Sequence, residues 1–271
     1  MIRILIISLL IFLQGYLTPA FSQGVQSHPD EVVAILGDSN TWLGKDDCTG
    51  KRAWTREWVR LYAPASARSY ARSGATWTNV PATKRNVEQV TGVLADDNTI
   101  YNQVQRLSDA VNSGEQVMPT LIIIMAGTND AWFASKRPGA FDMSVDDAME
   151  SCSDNALVEM SPGAVTTLPL SIRHNVALLR RMAPDAAIVL LGPLQSVQAP
   201  DRMIRKAGEI IENSAEVLGV PAIRLDRDFE LDSSKEAVKK HLTYDGTHTS
   251  EEGARLLGQF LAQRIGELRN K

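Results

Sequence analysis

The sequence has little of what marks metal, nucleic-acid or membrane chemistry. It holds two cysteines and four histidines in 271 residues. No His/Cys group has zinc spacing, so neither a metal nor another cofactor is expected. The formal net charge is -4 and no basic block is present, which argues against nucleic acid as a partner. After the first 22 residues no segment is apolar enough to cross a bilayer, so no stable membrane insertion of the mature chain is expected. There is no internal repeat and no low-complexity linker; residues 23–271 read as a single domain. A Gly-x-Ser-x-Gly motif is also missing, which argues against the ordinary α/β-hydrolase elbow.

What is present begins with Met1-Ile2-Arg3 and the apolar stretch ILIISLLIFL. One positive charge before about ten mostly apolar residues matches a secretory leader, and the run is too short for a spanning helix. Ala20 and Ser22 supply small residues for cleavage near Ser22. Residues 1–22 are therefore expected to be a signal peptide, and the mature chain to be secreted or periplasmic; an uncleaved anchor is the alternative. No cysteine follows the apolar run, so lipid attachment there is not expected.

Short apolar runs then alternate with longer helical patterns. The runs are 32–36, 67–71, 121–126, 187–191 and 221–225; several are apolar at every position, as strands covered on both faces are. Helical spacing covers roughly 53–62, 99–113, 167–182, 201–218 and 250–268, the last with Ser250 as N-cap and Glu251-Glu252 in its first turn. This alternation predicts a parallel sheet with helices on both faces and a ligand site beyond the carboxyl ends of the strands.

Polar blocks sit where that rule points. Gly37-Asp38-Ser39-Asn40 ends the first strand, Ser73-Gly74-Ala75 follows the second, and Gly127-Thr128-Asn129-Asp130 follows the third. Asp245-Gly246-Thr247-His248 precedes the last helix. Each block alone reads equally as a turn or a helix cap. Together they fit acyl transfer. A serine hydroxyl needs a base, for which His248 is available, and Asp245 is three residues away to orient the imidazole. Oxyanion donors are available at Ser39, Gly74 and Asn129. If His248 is the base, activity should fall on acidification through histidine's usual range.

With these blocks in this order, the chain from about residue 31 onward resembles the SGNH hydrolases, also called GDSL esterases and lipases. The resemblance implies a flavodoxin-like three-layer sandwich with a five-stranded parallel sheet in order 2-1-3-4-5. It also implies Ser39 as nucleophile, His248 as base, Asp245 as its orienter, and an oxyanion hole from Ser39, Gly74 and Asn129. One position departs from the pattern: Asn40 stands where the family motif usually has Leu. Asp38 is read as structural, tying loops together.

Three tryptophans stand at one offset from three blocks: Trp42, Trp77 and Trp132 each lie three residues after Ser39, Gly74 and Asn129. Either they rim a substrate pocket, where indoles stack on sugars, or they fill the gap between loops and sheet. Trp54 and Trp58, with Leu61, read as the buried stripe of a helix. Residues 133–165 form an acidic insertion after the third strand without the apolar stripe of a lipase lid. In the sheet order that the family implies, Cys48 and Cys152 leave neighbouring strands at the same end, so a disulfide between them is expected, with two free thiols as the alternative. The other histidines, His28, His174 and His241, lie outside the blocks.

The functional expectation is a secreted serine esterase for short acyl groups, acetyl foremost, on a small-molecule or oligosaccharide ester. Other readings are a lysophospholipase or thioesterase for longer chains, acyl transfer to an acceptor other than water, and a carbohydrate-binding protein without turnover.

Overall fold

Residues 27–88 and 98–270 are described by the structure, a computed structural model. The leader expected over residues 1–22 lies outside them. The strands are β1 (Val32–Gly37), β2 (Ser66–Ser69), β3 (Leu121–Met125), β4 (Ala187–Leu191) and β5 (Ala222–Ile223). All pair in parallel, in the order β2-β1-β3-β4-β5. The helices are α1 (Ser39–Trp42), α2 (Trp54–Tyr62), α3 (Ile100–Asn112), α4 (Thr128–Trp132), α5 (Val145–Glu150) and α6 (Asp154–Val158). They continue with α7 (Leu168–Met182), α8 (Asp201–Leu218), α9 (Leu225–Asp228), α10 (Ser233–Lys239) and α11 (Glu251–Arg269).

The sheet divides the core because successive strand side chains point to opposite faces. On one face Ala34, Leu36, Ile122, Ile124, Ile188 and Leu190 meet the apolar sides of α3, α7 and α8. On the other, Val33, Ile35, Ile123, Met125, Val189 and Leu191 meet α2 and α11. β3 has neighbours on both sides and helices on both faces, and all five of its residues are buried. That is why it reads as an unbroken apolar run. The stripe expected in α2 is observed: Trp54 and Trp58 are fully buried, edge to face, and Leu61 packs beside them.

Helix ends follow local chemistry. The Ser250 side chain accepts from the Gly253 N–H and caps α11. Gly219 ends α8 in the left-handed conformation. β5 is shorter than its apolar run because Leu225 already begins α9. Residues 133–165 fold into short helices; Ala148 and Leu157 from them pack with Val165 and Leu170 in a small separate cluster. Among the described residues no helix is long and apolar enough to cross a membrane.

Candidate active site

The carboxyl ends of β1 and β3 carry two short helices whose first turns hold Ser39 and Asn129. The strand end of β1 is set by close approach. A Cβ on Gly37 would lie 2.6 Å from the Met125 carbonyl oxygen, so the chain can turn into α1 there only without a side chain. Gln103 of α3 brackets the same peptide, donating to the Gly37 carbonyl at 2.9 Å while accepting from its N–H at 2.8 Å.

Asp38 then caps α1. Its carboxylate accepts from the Asn40 N–H at 3.1 Å. Burial pushes the carboxyl up from 3.8 to about 6, against the pull of the Asn40 N–H. Asp130 ties the loops after β2 and β3. That buried carboxylate accepts from the N–H groups of Trp77 and Thr78, both at 3.0 Å, and from the Thr78 hydroxyl at 2.8 Å. Desolvation raises its pKa against the pull of these bonds.

Ser39, His248 and Asp245 are in line. The Ser39 hydroxyl is 3.0 Å from His248 Nε2, and His248 Nδ1 is 2.7 Å from Asp245 Oδ2. Asp245 also accepts from the N–H groups of Thr247 at 2.9 Å and His248 at 2.7 Å. Its burial works to raise the pKa. The ring and backbone bonds outweigh that and hold the carboxyl below its ordinary range. An ionised Asp245 accepts the Nδ1–H, which leaves Nε2 as the ring's acceptor toward the Ser39 hydroxyl. The arrangement is thus competent to draw a proton from Ser39.

Gly74 and Asn129 stand in the segments that follow β2 and β3, the strands on either side of β1. Gly74 has φ +75°, in the left-handed region that favours glycine. The Asn129 side-chain amide donates one hydrogen to the Ala75 carbonyl at 2.9 Å, which fixes the amide and leaves its second hydrogen for another acceptor. Asn129 thereby joins the β2 and β3 loops, as Asp130 does one residue later.

Five contacts at the site escaped the sequence reading. The Asn40 amide donates to the Thr247 carbonyl at 3.2 Å and accepts from the Thr249 N–H at 3.1 Å, bracketing His248. The Tyr244 ring stacks on the His248 imidazole, centroids 5.7 Å apart, and the Arg52 guanidinium lies over the Tyr244 ring, 5.0 Å from its centroid. The Thr249 hydroxyl donates to the Arg52 carbonyl at 2.7 Å. Only Asn40 carried a signal, by departing from the usual Leu.

Two expectations are corrected. Trp77 does not rim a pocket. It is 0% exposed and packs into the core with residues of α3, its backbone N–H drawn inward by Asp130. Trp132 is half-buried, stacked on Phe133 and packed against the same core. Trp42, at 39% exposure, lines an open depression of about 530 Å³ with Leu43, Lys45, Asp46 and Asp47.

Nor are Cys48 and Cys152 bonded; both are free thiols. Cys48 packs with Trp54 on the α2 face of the sheet, whereas Cys152 packs in the small cluster against α7, on the other face. Arg173 of α7 holds it there, donating to the carbonyls of Ala148 at 2.8 Å and Cys152 at 2.6 Å and pairing with Asp154.

Two of the other histidines pack against tyrosines. His28 stacks on Tyr62, and buried His174 stacks on Tyr101 with its pKa pushed down to about 4 by desolvation. Among the described residues no group of His, Cys, Asp and Glu could hold a metal ion.

Solved structures share this fold at low identity. A possible lipase from Chitinophaga pinensis aligns with TM-score 0.56 and 16% identity, over 89% of this chain and 100% of its own. A putative GDSL-like lipase from Parabacteroides merdae gives 0.53 and 15%, over 90% and 99%. The acetyl xylan esterase AlAXEase gives 0.50 and 16%, over 88% and 99%. No curated protein matches the sequence. The model of the GDSL-like lipase/acylhydrolase family matches residues 35–256, a span that takes in all four polar blocks and all five strands but for the start of β1. The chain belongs to that family of ester hydrolases.

Proposed function

We propose that the protein is a secreted serine esterase that removes short acyl groups, acetyl foremost, from carbohydrate. The observation that carries the hydrolytic part is the line Ser39–His248–Asp245, with its 3.0 Å and 2.7 Å separations. In this reading His248 Nε2 takes the hydroxyl proton as Ser39 Oγ attacks the ester carbonyl carbon. The resulting oxyanion is met by the N–H groups of Ser39 and Gly74 and the free hydrogen of the Asn129 amide. The intermediate collapses, the C–O bond to the alcohol breaks, and His248 returns the proton to the departing alcohol oxygen. Water, deprotonated by the same nitrogen, then attacks the acyl-enzyme; collapse of that second intermediate frees the acid and returns the proton to Ser39.

The carbohydrate part rests on Trp42. Its indole stands at the end of the helix that carries Ser39, over an open depression whose other polar walls are Lys45, Asp46 and Asp47. A flat apolar face beside charged groups suits a sugar ring, which offers C–H bonds on its face and hydroxyls at its edge. That a similar structure belongs to an acetyl xylan esterase is in keeping with this. Secretion rests on the leader pattern of residues 1–22.

Acetate release from acetylated xylo-oligosaccharides and from p-nitrophenyl acetate tests the reading. Ser39→Ala is expected to abolish both with an unchanged circular-dichroism spectrum. Full activity in that variant overturns the mechanism, and turnover of the aryl ester alone overturns the carbohydrate assignment.

A further inference from the structure

The segment that delivers His248 is rigid within itself. Tyr244 N–H donates to the His248 carbonyl, Gly246 N–H to the Thr243 hydroxyl, and the Asp245 carboxylate gathers two N–H groups. Those bonds fix the shape of residues 243–249. They do not fix its distance from Ser39, more than two hundred residues earlier in the chain. External ties must do that. Thr247 is tied by its hydroxyl to Ser196 at 2.8 Å, and Gly246 by its carbonyl to the Val197 N–H at 3.1 Å, both after β4. Thr249 is tied to Arg52 at the entry to α2. The side chain of Asn40 ties the segment to α1 itself, the helix on which Ser39 stands.

Asn40 is 1% exposed. A buried primary amide must find partners for both its ends, and many backbone groups would serve. This one takes the carbonyl just before His248 and the N–H just after it, and a single orientation of the amide satisfies both bonds. We propose that Asn40 is a positioning residue for catalysis: its amide clamps the peptides on either side of His248 and so sets the imidazole at hydrogen-bond distance from the adjacent Ser39 hydroxyl. The proposal rests on Ser39 and His248 as nucleophile and base. The Leu usual at this position in the family motif can make neither bond, so the clamp belongs to this chain and is not a requirement of the fold.

Displacing a catalytic group by about 1 Å can cost on the order of 100-fold in rate. For Asn40→Leu, kcat on p-nitrophenyl acetate is expected to fall roughly 10- to 100-fold with KM changed less than about threefold, at equal folded fraction. Asn40→Asp is nearly isosteric and keeps the acceptor for Thr249 N–H while losing the donor to Thr247; its kcat should lie between the two. Hydrogen exchange supplies a readout independent of turnover. In a Ser39→Ala background, the backbone amides of 243–249, Thr249 above all, should exchange faster once Leu replaces Asn40. Turnover within twofold of wild type in both variants overturns the proposal. So does a loss that disappears when corrected for folded fraction, or an unchanged exchange rate. If Asn40→Leu does not fold, Asn40→Asp decides by the same criteria. If the wild type hydrolyses no ester, the esterase reading fails, while the exchange measurement still decides whether Asn40 holds the His248 segment.

Discussion

At the scale of single residues, the proposed mechanism separates groups that would meet the substrate from groups that hold them, and Asn129 would do both. One amide hydrogen is committed to Ala75, and the other is free to meet an oxyanion. Asn129→Ala should therefore lower kcat by about 100- to 1000-fold with little change in KM, read from steady-state kinetics on p-nitrophenyl acetate. Asp38 has a different signature. Its carboxyl is raised to about 6 in the fold from an ordinary 3.8, so the folded state holds a proton that the unfolded chain releases between those values. The sign follows: this contribution to stability is fully present below about pH 4 and is lost as pH rises through about 6. Asparagine caps helices as well as aspartate does, so Asp38→Asn should fold. Thermal melts of the two proteins should coincide most nearly above pH 6 in slope. Between pH 4 and 6 the wild type should lose stability relative to Asp38→Asn. Parallel melting curves across that window count against a buried, proton-holding Asp38.

At the scale of elements, α11 and α2 together close one face of the sheet, and the tryptophans show how placement divides labour. Leu261 of α11 is fully buried among them, and Leu261→Ala should destabilise by about 2–5 kcal/mol in urea melts, leaving kcat per folded molecule unchanged. Trp77 behaves the same way because it belongs to the core; Trp77→Ala should reduce stability by about 3–5 kcal/mol. Trp42 should do the reverse. Trp42→Ala should leave the melting temperature within a degree or two and raise KM for acetylated oligosaccharides more than for p-nitrophenyl acetate. An equal effect on both esters removes Trp42 from sugar binding. The single offset that relates these tryptophans to the sequence blocks therefore hides two environments, because the loop after Gly74 is pulled inward by Asp130 whereas α1 ends at the surface.

For the whole molecule, the sheet sorts the two cysteines onto opposite faces. Cys48 is buried and its thiol is pushed up to about 12 by desolvation, while Cys152 is half-buried. A thiol reagent such as DTNB should titrate two thiols in guanidinium without reductant, and in the native protein Cys152 should react well before Cys48. Recovery of no thiols without reductant would restore the disulfide. Acyl-chain preference is also a property of the assembled site. The proposed short-acyl preference predicts faster turnover of acetyl than of octanoyl esters; a rate that peaks at eight or more carbons turns the reading toward lipids.

The sequence by itself determined the layers and the family. Apolar runs such as Leu121–Met125 admit little but a doubly covered strand, and Ser250 with Glu251-Glu252 marks the start of α11 because caps and dipoles act within one turn. The four polar blocks were legible because each fills a strand end or a helix entry with residue types whose chemistry is local. Tertiary structure alone decided what depends on contacts distant in the chain. Asn40 meets Thr247 and Thr249, Asp130 draws in Trp77 and Thr78, and Arg173 holds the Cys152 segment against α7 and away from Cys48. Such pairings leave no periodic trace in a sequence. Periodicity records which side of an element faces the core, whereas a hydrogen bond across two hundred residues depends on where two rigid pieces come to rest.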